Sequence, residues 1–111
     1  MKLQILGSGT STGVPEIGCN CAVCTSNDAR DKRLRTSALL HTDNEHILID
    51  CGPDFREQML RLDTFHKLDA VLLTHEHYDH VGGIDDLRPF CKFGEIPVVA
   101  DNYAATHLKE R

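Results

Sequence analysis

Residues Asp69–Gly83 read DAVLLTHEHYDHVGG, so a short apolar run passes without a break into four metal-ligating side chains and then into paired glycines. An apolar run of this length predicts a strand covered on both faces, Asp69–Thr74. Loops at the carboxyl ends of such strands are where α/β sheets build sites. His75 and His77 are two positions apart, so in extended backbone both point to one side and can grip one ion. Asp79 and His80 are adjacent and would diverge if extended, but the turn at Gly82-Gly83 can curl them toward a second position beside the first. Imidazoles with a carboxylate suit zinc, with manganese or iron as alternatives. A pair of such ions would hold a bridging hydroxide, because coordination lowers the pKa of water toward neutrality. That chemistry fits hydrolysis of phosphate esters or acyl bonds. Glu76 and Tyr78 read as outward-facing spacers.

The remaining pattern places this loop in an α/β layered fold. Residues 2–6 (KLQIL) predict a strand ended by GSGTSTG. Residues 36–42 and 45–50 predict two strands joined at Asp43-Asn44, a two-residue hairpin turn by its Asx preference. Pro53 follows the break at Asp50–Gly52 and can start a helix over roughly 54–62, with Phe55, Met59, Leu60 and Leu62 on the buried face. A weak helix at 84–92 contains Pro89. A buried strand at 96–100 and a helix at 101–110, capped by Asp101, complete the alternation.

One small domain accommodates 111 residues. A 41% hydrophobic, 26% charged composition is globular rather than disordered. The net charge of −5 argues against nucleic acid as the partner. Only Arg30–Arg35 (RDKRLR) is locally basic, and it reads as a solvated face, with Arg33 and Arg35 as the residues that could draw in a substrate phosphate. MKLQIL lacks the apolar stretch of a signal peptide, and no run approaches membrane-span length, so a cytoplasmic location with no membrane partner is expected.

Five cysteines without a secretory signal favour metal over disulfides. Cys19, Cys21 and Cys24, spaced C-x-C-x-x-C, can share one tetrahedral structural zinc. Such a zinc would order the excursion at about 14–35, which has little apolar content of its own. Cys51 and Cys91 read as small buried residues. GSGTSTG lacks the lysine of a phosphate-gripping loop, so its small residues are read first as allowing close approach of a neighbouring strand.

HEHYDH followed by VGG resembles the His-x-His-x-Asp-His signature of the metallo-β-lactamase fold hydrolases, and LIDCG at Leu48–Gly52 resembles the strand-end Asp motif before it. LGSGTSTGVP, GCNCAVC and LRTS narrow the resemblance to the branch containing the phosphoribosyl cyclic phosphate phosphodiesterase, with ribonuclease Z more distant. The resemblance implies a four-layer αββα sandwich of two similar halves, of which residues 1–111 form the N-terminal half as a single partial domain: a mixed sheet with helices on one face. It implies two divalent metals held by His75, His77, Asp79 and His80, with Asp79 also steering the nucleophile. It implies that Asp50 braces the loop without binding metal, and that Ser8, Thr10 and Ser11 lie near the substrate. It also implies a fourth structural-zinc ligand, a His near the far end of the family's chain, which has no visible counterpart here; His41, His66 or His107 could stand in only by coincidence.

The expected activity is hydrolysis of a phosphodiester, a small cyclic phosphate first. The alternatives are a ribonuclease Z-like RNA processor, acyl or sulfate ester hydrolysis, and a non-enzymatic zinc-stabilised module. Nothing after His80 resembles the ligands of the second half, so a fragment inactive by itself is expected, a naturally short protein being the alternative. The uncovered sheet face would invite homo-oligomerisation.

Overall fold

The structure, a computed structural model, describes residues 1–101, apart from the side chains of Lys92 and Phe93; the helix expected at 101–110 and His107 therefore lie outside the described residues. Five strands form one sheet in the order β1 (Lys2–Gly7), β2 (Ser37–His41), β3 (His46–Ile49), β4 (Ala70–Leu72), β5 (Val98–Val99). The first three are antiparallel, and β3, β4 and β5 are parallel. The β2–β3 turn is the short one the sequence indicates: the Thr42 N–H meets the Glu45 carbonyl at 2.9 Å, leaving Asp43 and Asn44 at the tip. Parallel pairing of β3 with β4 requires a crossover. The chain makes it through α1 (Phe55–Leu60), while α2 (Tyr78–Val81) and a 3₁₀ helix (Ile84–Phe93, containing Pro89) connect β4 to β5. This is the mixed sheet with helices that the sequence predicts.

Alternation along the strands separates two faces. On one, Leu39, Leu48 and Val71 are fully buried and cluster with Phe55 of α1, Val81 of α2, and Leu87 and Phe90 of the 3₁₀ helix. Burial of each large apolar side chain contributes about 1.5–3 kcal/mol. Register carries the other face across the whole sheet: Leu3 opposes Leu40, which opposes Ile47 and then Ala70, while Ile5 leads through Ala38 and Ile49 to Leu72 and Val99. Every member of this second set is apolar, and none is buried.

Several expectations are corrected here. Asp69–Thr74 is not covered on both faces: Val71 and Leu73 are buried, but Leu72 belongs to the open face. The strand expected at 96–100 is reduced to two exposed residues, because it ends the described sheet and has a neighbour on one side only. In α1, Leu60 is 62% exposed and Gln58 is buried in its place. The reason lies in the Gln58 side chain, whose Nε2 donates to the Arg35 carbonyl at 2.9 Å and so satisfies a backbone acceptor that leucine could not. Cys51 is buried as expected, but Cys91 is exposed on the 3₁₀ helix.

The excursion at 14–35 contains one short 3₁₀ turn, Ala29–Asp31, and is pinned at its base by reciprocal Val14 and Arg33 backbone bonds of 2.9 and 2.8 Å. GSGTSTG does lie against neighbouring backbone. A Cβ on Gly7 would fall 2.1 Å from the Arg35 carbonyl oxygen, and the β1–β2 register shifts between Ile5 and Gly7. Arg35 is not part of a solvated face: its guanidinium and its backbone N–H both reach the Asp54 carboxylate, at 3.1 and 2.9 Å, with both side chains largely covered.

Candidate metal centre

The site is assembled where β3 and β4 end side by side. Asp50 follows β3 directly, is 2% exposed, and has φ 63°, the left-handed region that Asp tolerates better than most residues. That turn aims its carboxylate across to the end of β4. There Oδ1 accepts the Thr74 N–H at 2.7 Å, and Oδ2 accepts the Thr74 hydroxyl at 2.8 Å. Oδ2 also accepts from His80 Nδ1 at 2.6 Å. A buried carboxylate is costly without partners, and three donors offset that cost.

Backbone contact locks the two loops together. The Cys51 N–H donates to the His80 carbonyl at 2.8 Å and the Gly83 N–H to the Cys51 carbonyl at 2.9 Å. A Cβ on Gly52 would lie 2.2 Å from the Asp79 carbonyl oxygen, and one on Gly83 2.0 Å from that of Gly52. Both glycines are therefore required for close approach, whereas the sequence marks them only as turn residues.

His75, Asp79 and His80 each bring one ligand atom within 4.8 Å of the other two, and all three are half-buried. The short helix α2 accomplishes this, since helical backbone places Asp79 and His80 on a curve rather than on opposite sides of a strand. His77 stands at the start of that helix in extended backbone, with its side chain 69% exposed. Its ring meets that of His75 edge-on at 4.7 Å, but its nitrogens lie outside the three-residue group. The observed grouping is thus His75 with Asp79 and His80, rather than two adjacent pairs.

Hydrogen bonding fixes which nitrogens are available. The Asp50 carboxylate can only accept, so His80 carries a proton on Nδ1, and its Nε2 faces Asp79 Oδ2 at 3.0 Å. In a neutral ring this sets a lone pair against a carboxylate oxygen, an arrangement satisfied by a second proton or by a cation between them. With the Thr74 hydroxyl donating to Asp50, its oxygen accepts from His75 Nδ1 at 3.1 Å, which leaves His75 Nε2 free to ligate. Two oriented imidazoles and a carboxylate fit a divalent transition metal, with Asp50 and Thr74 orienting the ligands from behind. The sequence reading passes over Thr74; its only signal is a hydroxyl residue immediately before the first His.

The three clustered cysteines also converge, with sulfurs within 4.8 Å of one another, and among the described residues no fourth Cys, His, Asp or Glu joins them. His41 and His66 are engaged elsewhere. The Cys24 N–H points at Cys21 Sγ and the Glu16 N–H at Cys24 Sγ, both at 3.4 Å. The Cys21 thiol is lowered to about 7, first by the Cys24 backbone N–H and then by the Cys19 and Cys24 thiols. Burial pushes the Cys51 thiol up to about 12. Ser8 and Ser11 do not bond to the histidine loop. Arg33 donates to Ser8 Oγ and Arg35 to the Ser11 carbonyl, each at 3.0 Å, and Thr10 closes a turn onto Gly13.

A five-stranded mixed sheet with a ligand-bearing loop beyond its parallel strand ends is a partial metallo-β-lactamase fold. The β-lactamase superfamily domain matches residues 45–111, and the chain belongs to that superfamily. A solved diphosphatase of the PhnP family is 48% identical, superposes with a TM-score of 0.91, and is matched over 97% of this chain and 44% of its own. Zinc-bound PqqB from Methylobacterium extorquens is 25% identical with a TM-score of 0.69, over 91% of this chain and 46% of that one. An octanoyltransferase of Porphyromonas gingivalis is 56% identical over the whole of this chain and 23% of its own length. The chain thus spans about a quarter of that curated relative and under half of either solved protein. No helix among the described residues is long and apolar enough to cross a membrane.

Two outcomes test this geometry. Asp50→Asn keeps the shape but removes the charge that holds the His80 tautomer, so zinc affinity at the His75–His80 loop should fall about 10–100-fold, measured by competition with a chromophoric chelator. In metal-free protein, alkylation by iodoacetamide should rise steeply at Cys21 as pH passes about 7, because the thiolate is the nucleophile. Cys51 should stay inert to pH 9, and peptide mass mapping reads both sites.

Proposed function

We propose that this chain carries the metal-loop half of a metal-dependent hydrolase acting on phosphodiesters, with a small cyclic phosphate as substrate. The observation that carries the reading is the convergence of His75, Asp79 and His80, with His80 held by the buried Asp50. The similarity to a PhnP-family diphosphatase supports phosphorus as the reacting centre. Acyl transfer ranks lower, because the chain matches only 23% of the octanoyltransferase and its own converging side chains are metal donors.

The proposed complement is two divalent metals, zinc first and manganese second, with His77 completing the set beside His75. Such ions supply a nucleophile at neutral pH and neutralise charge on the phosphoryl oxygens. The chain's own residues provide orientation. Asp79 ligates and steers the attacking group, His75 and His80 ligate through Nε2, and Asp50 and Thr74 fix their tautomers. Ser8, Thr10 and Ser11 are proposed as substrate contacts, where Arg33 beside Ser8 adds a cation that suits a phosphate. Cys19, Cys21 and Cys24 hold a structural zinc.

The convergence of those cysteines favours one second reading, a zinc-stabilised module in which the histidine loop is idle. A chimera of residues 1–111 with the remainder of the 48% identical diphosphatase separates the two. The hydrolase reading expects metal-dependent cleavage of a cyclic phosphodiester, reduced to background by His80→Ala, while residues 1–111 alone stay at background. A folded, metal-loaded chimera without hydrolysis would overturn it. The module reading expects a single zinc, lost in Cys21→Ser and retained in His77→Ala.

We also infer that the open sheet face, from Leu3 and Ile5 through Leu40, Ile47 and Ile49 to Leu72 and Val99, pairs two copies when the chain is alone. Sedimentation equilibrium should show reversible dimers that Leu3→Lys with Ile5→Lys dissociates; a monomer at all concentrations would contradict this.

A further inference from the structure

A second group of three histidines lies at the opposite end of the sheet from the loop described above. His41 closes β2, His46 opens β3 as its cross-strand partner, and His66 sits on the segment leading from α1 to β4. Ring centroids are 4.9 Å apart for His41 and His46, 5.0 Å for His41 and His66, and 4.5 Å for His46 and His66. One nitrogen from each lies within 4.8 Å of the other two, and all three residues are half-buried. Because β4 enters the sheet near this group and leaves it at Thr74, roughly 15 Å of strand separates it from the candidate hydrolytic loop.

The surroundings prepare these rings as ligands. Gln4 Oε1 lies 3.0 Å from His41 Nε2, and an amide oxygen only accepts, so His41 carries its proton there. Its Nδ1 lone pair is left facing the cluster, 2.8 Å from Nδ1 of His46. A carbonyl that fixes the far nitrogen of an imidazole is the usual companion of a metal-bound histidine. The strand end bearing His46 is fixed as well. Its N–H donates to Asp69 Oδ2 and its carbonyl accepts the Asp69 N–H, both at 2.8 Å, which ties β3 to the segment carrying His66. Partial burial, reinforced by the neighbouring imidazoles and by Lys2, moves the pKa of His41 and of His66 down, which favours the neutral ligating form. Lys2 is exposed, and the Asp69 carboxylate that accepts the His46 N–H also lies 3.8 Å from the Lys67 ammonium, the cation next in sequence to His66.

We propose that His41, His46 and His66 form a further metal site, taking one zinc ion through three imidazole nitrogens with water as fourth ligand. Three protein ligands and a water are an ordinary zinc complement. On binding, zinc replaces the hydrogen bond between the two Nδ1 atoms. The proton leaving His46 Nδ1 is balanced by one taken up at its Nε2, so all three ligands remain neutral. The bound ion clips the β2–β3 hairpin to the crossover that feeds β4, and thus fixes the entry of the strand that delivers His75.

The test uses the 111-residue chain with zinc chloride as the probe. Bound zinc is counted by inductively coupled plasma mass spectrometry after desalting, and ring ¹⁵N shifts are followed during titration. The site predicts large shifts at the ligating nitrogens of His41, His46 and His66. It also predicts loss of one zinc equivalent in His66→Gln, with circular dichroism unchanged and the equivalents due to the cysteines and the His75 loop retained. Unmoved ring shifts in the wild type at saturating zinc would overturn the proposal without recourse to any variant. Equal zinc content in wild type and His66→Gln would overturn it as well.

Discussion

The buried Asp50 carboxylate is the contact on which the rest of the site depends. It stands at the end of one parallel strand and receives three hydrogen bonds from residues that follow the next. Those bonds satisfy a charge that burial would otherwise penalise, and they fix the spacing of two loops that share no covalent connection nearby. The left-handed φ of Asp50 and the bare backbones of Gly52 and Gly83 are requirements of that approach. The same carboxylate sets the protonation pattern of His80, so the fold's cohesion and the site's ligand chemistry rest on one group.

The sheet beneath is well packed on one side only. Leu39, Leu48 and Val71 meet the helices, while the apolar rows through Leu40 and Ile47 and through Ala38, Ile49 and Leu72 look outward. This division agrees with a chain that spans under half of its solved relatives. An apolar face of this extent is costly to leave in water, which is the physical ground for expecting another surface to cover it.

Much of the fold was legible because its signals are local. The hairpin at Asp43-Asn44, the Pro53 break before α1 and the strand running into His75 each depend on residues within a few positions. The misreadings share one cause. Leu60, Val98 and Val99 are expected inside because they are apolar, and Gln58 carries no sequence signal for burial, but burial depends on what lies opposite. Gln58 is buried for the sake of the Arg35 carbonyl, and β5 is exposed because the described sheet ends there. Arg35 likewise turned inward because Asp54, nineteen positions away, waits there.

The sequence by itself determined the kinds of chemistry this protein can hold: imidazoles and a carboxylate after a strand, thiols in an excursion without a core, and an aspartate at a strand end. Spacing along a chain constrains which side chains share a face only over a few residues, and each of those motifs is local on that scale. Only the tertiary structure decided which ligands meet. It joined His75 to Asp79 and His80 and set His77 aside, brought Thr74 between Asp50 and His75, and gathered His41, His46 and His66 from three separate segments. Such meetings depend on strand order, register and the path of a crossover, which no local pattern encodes.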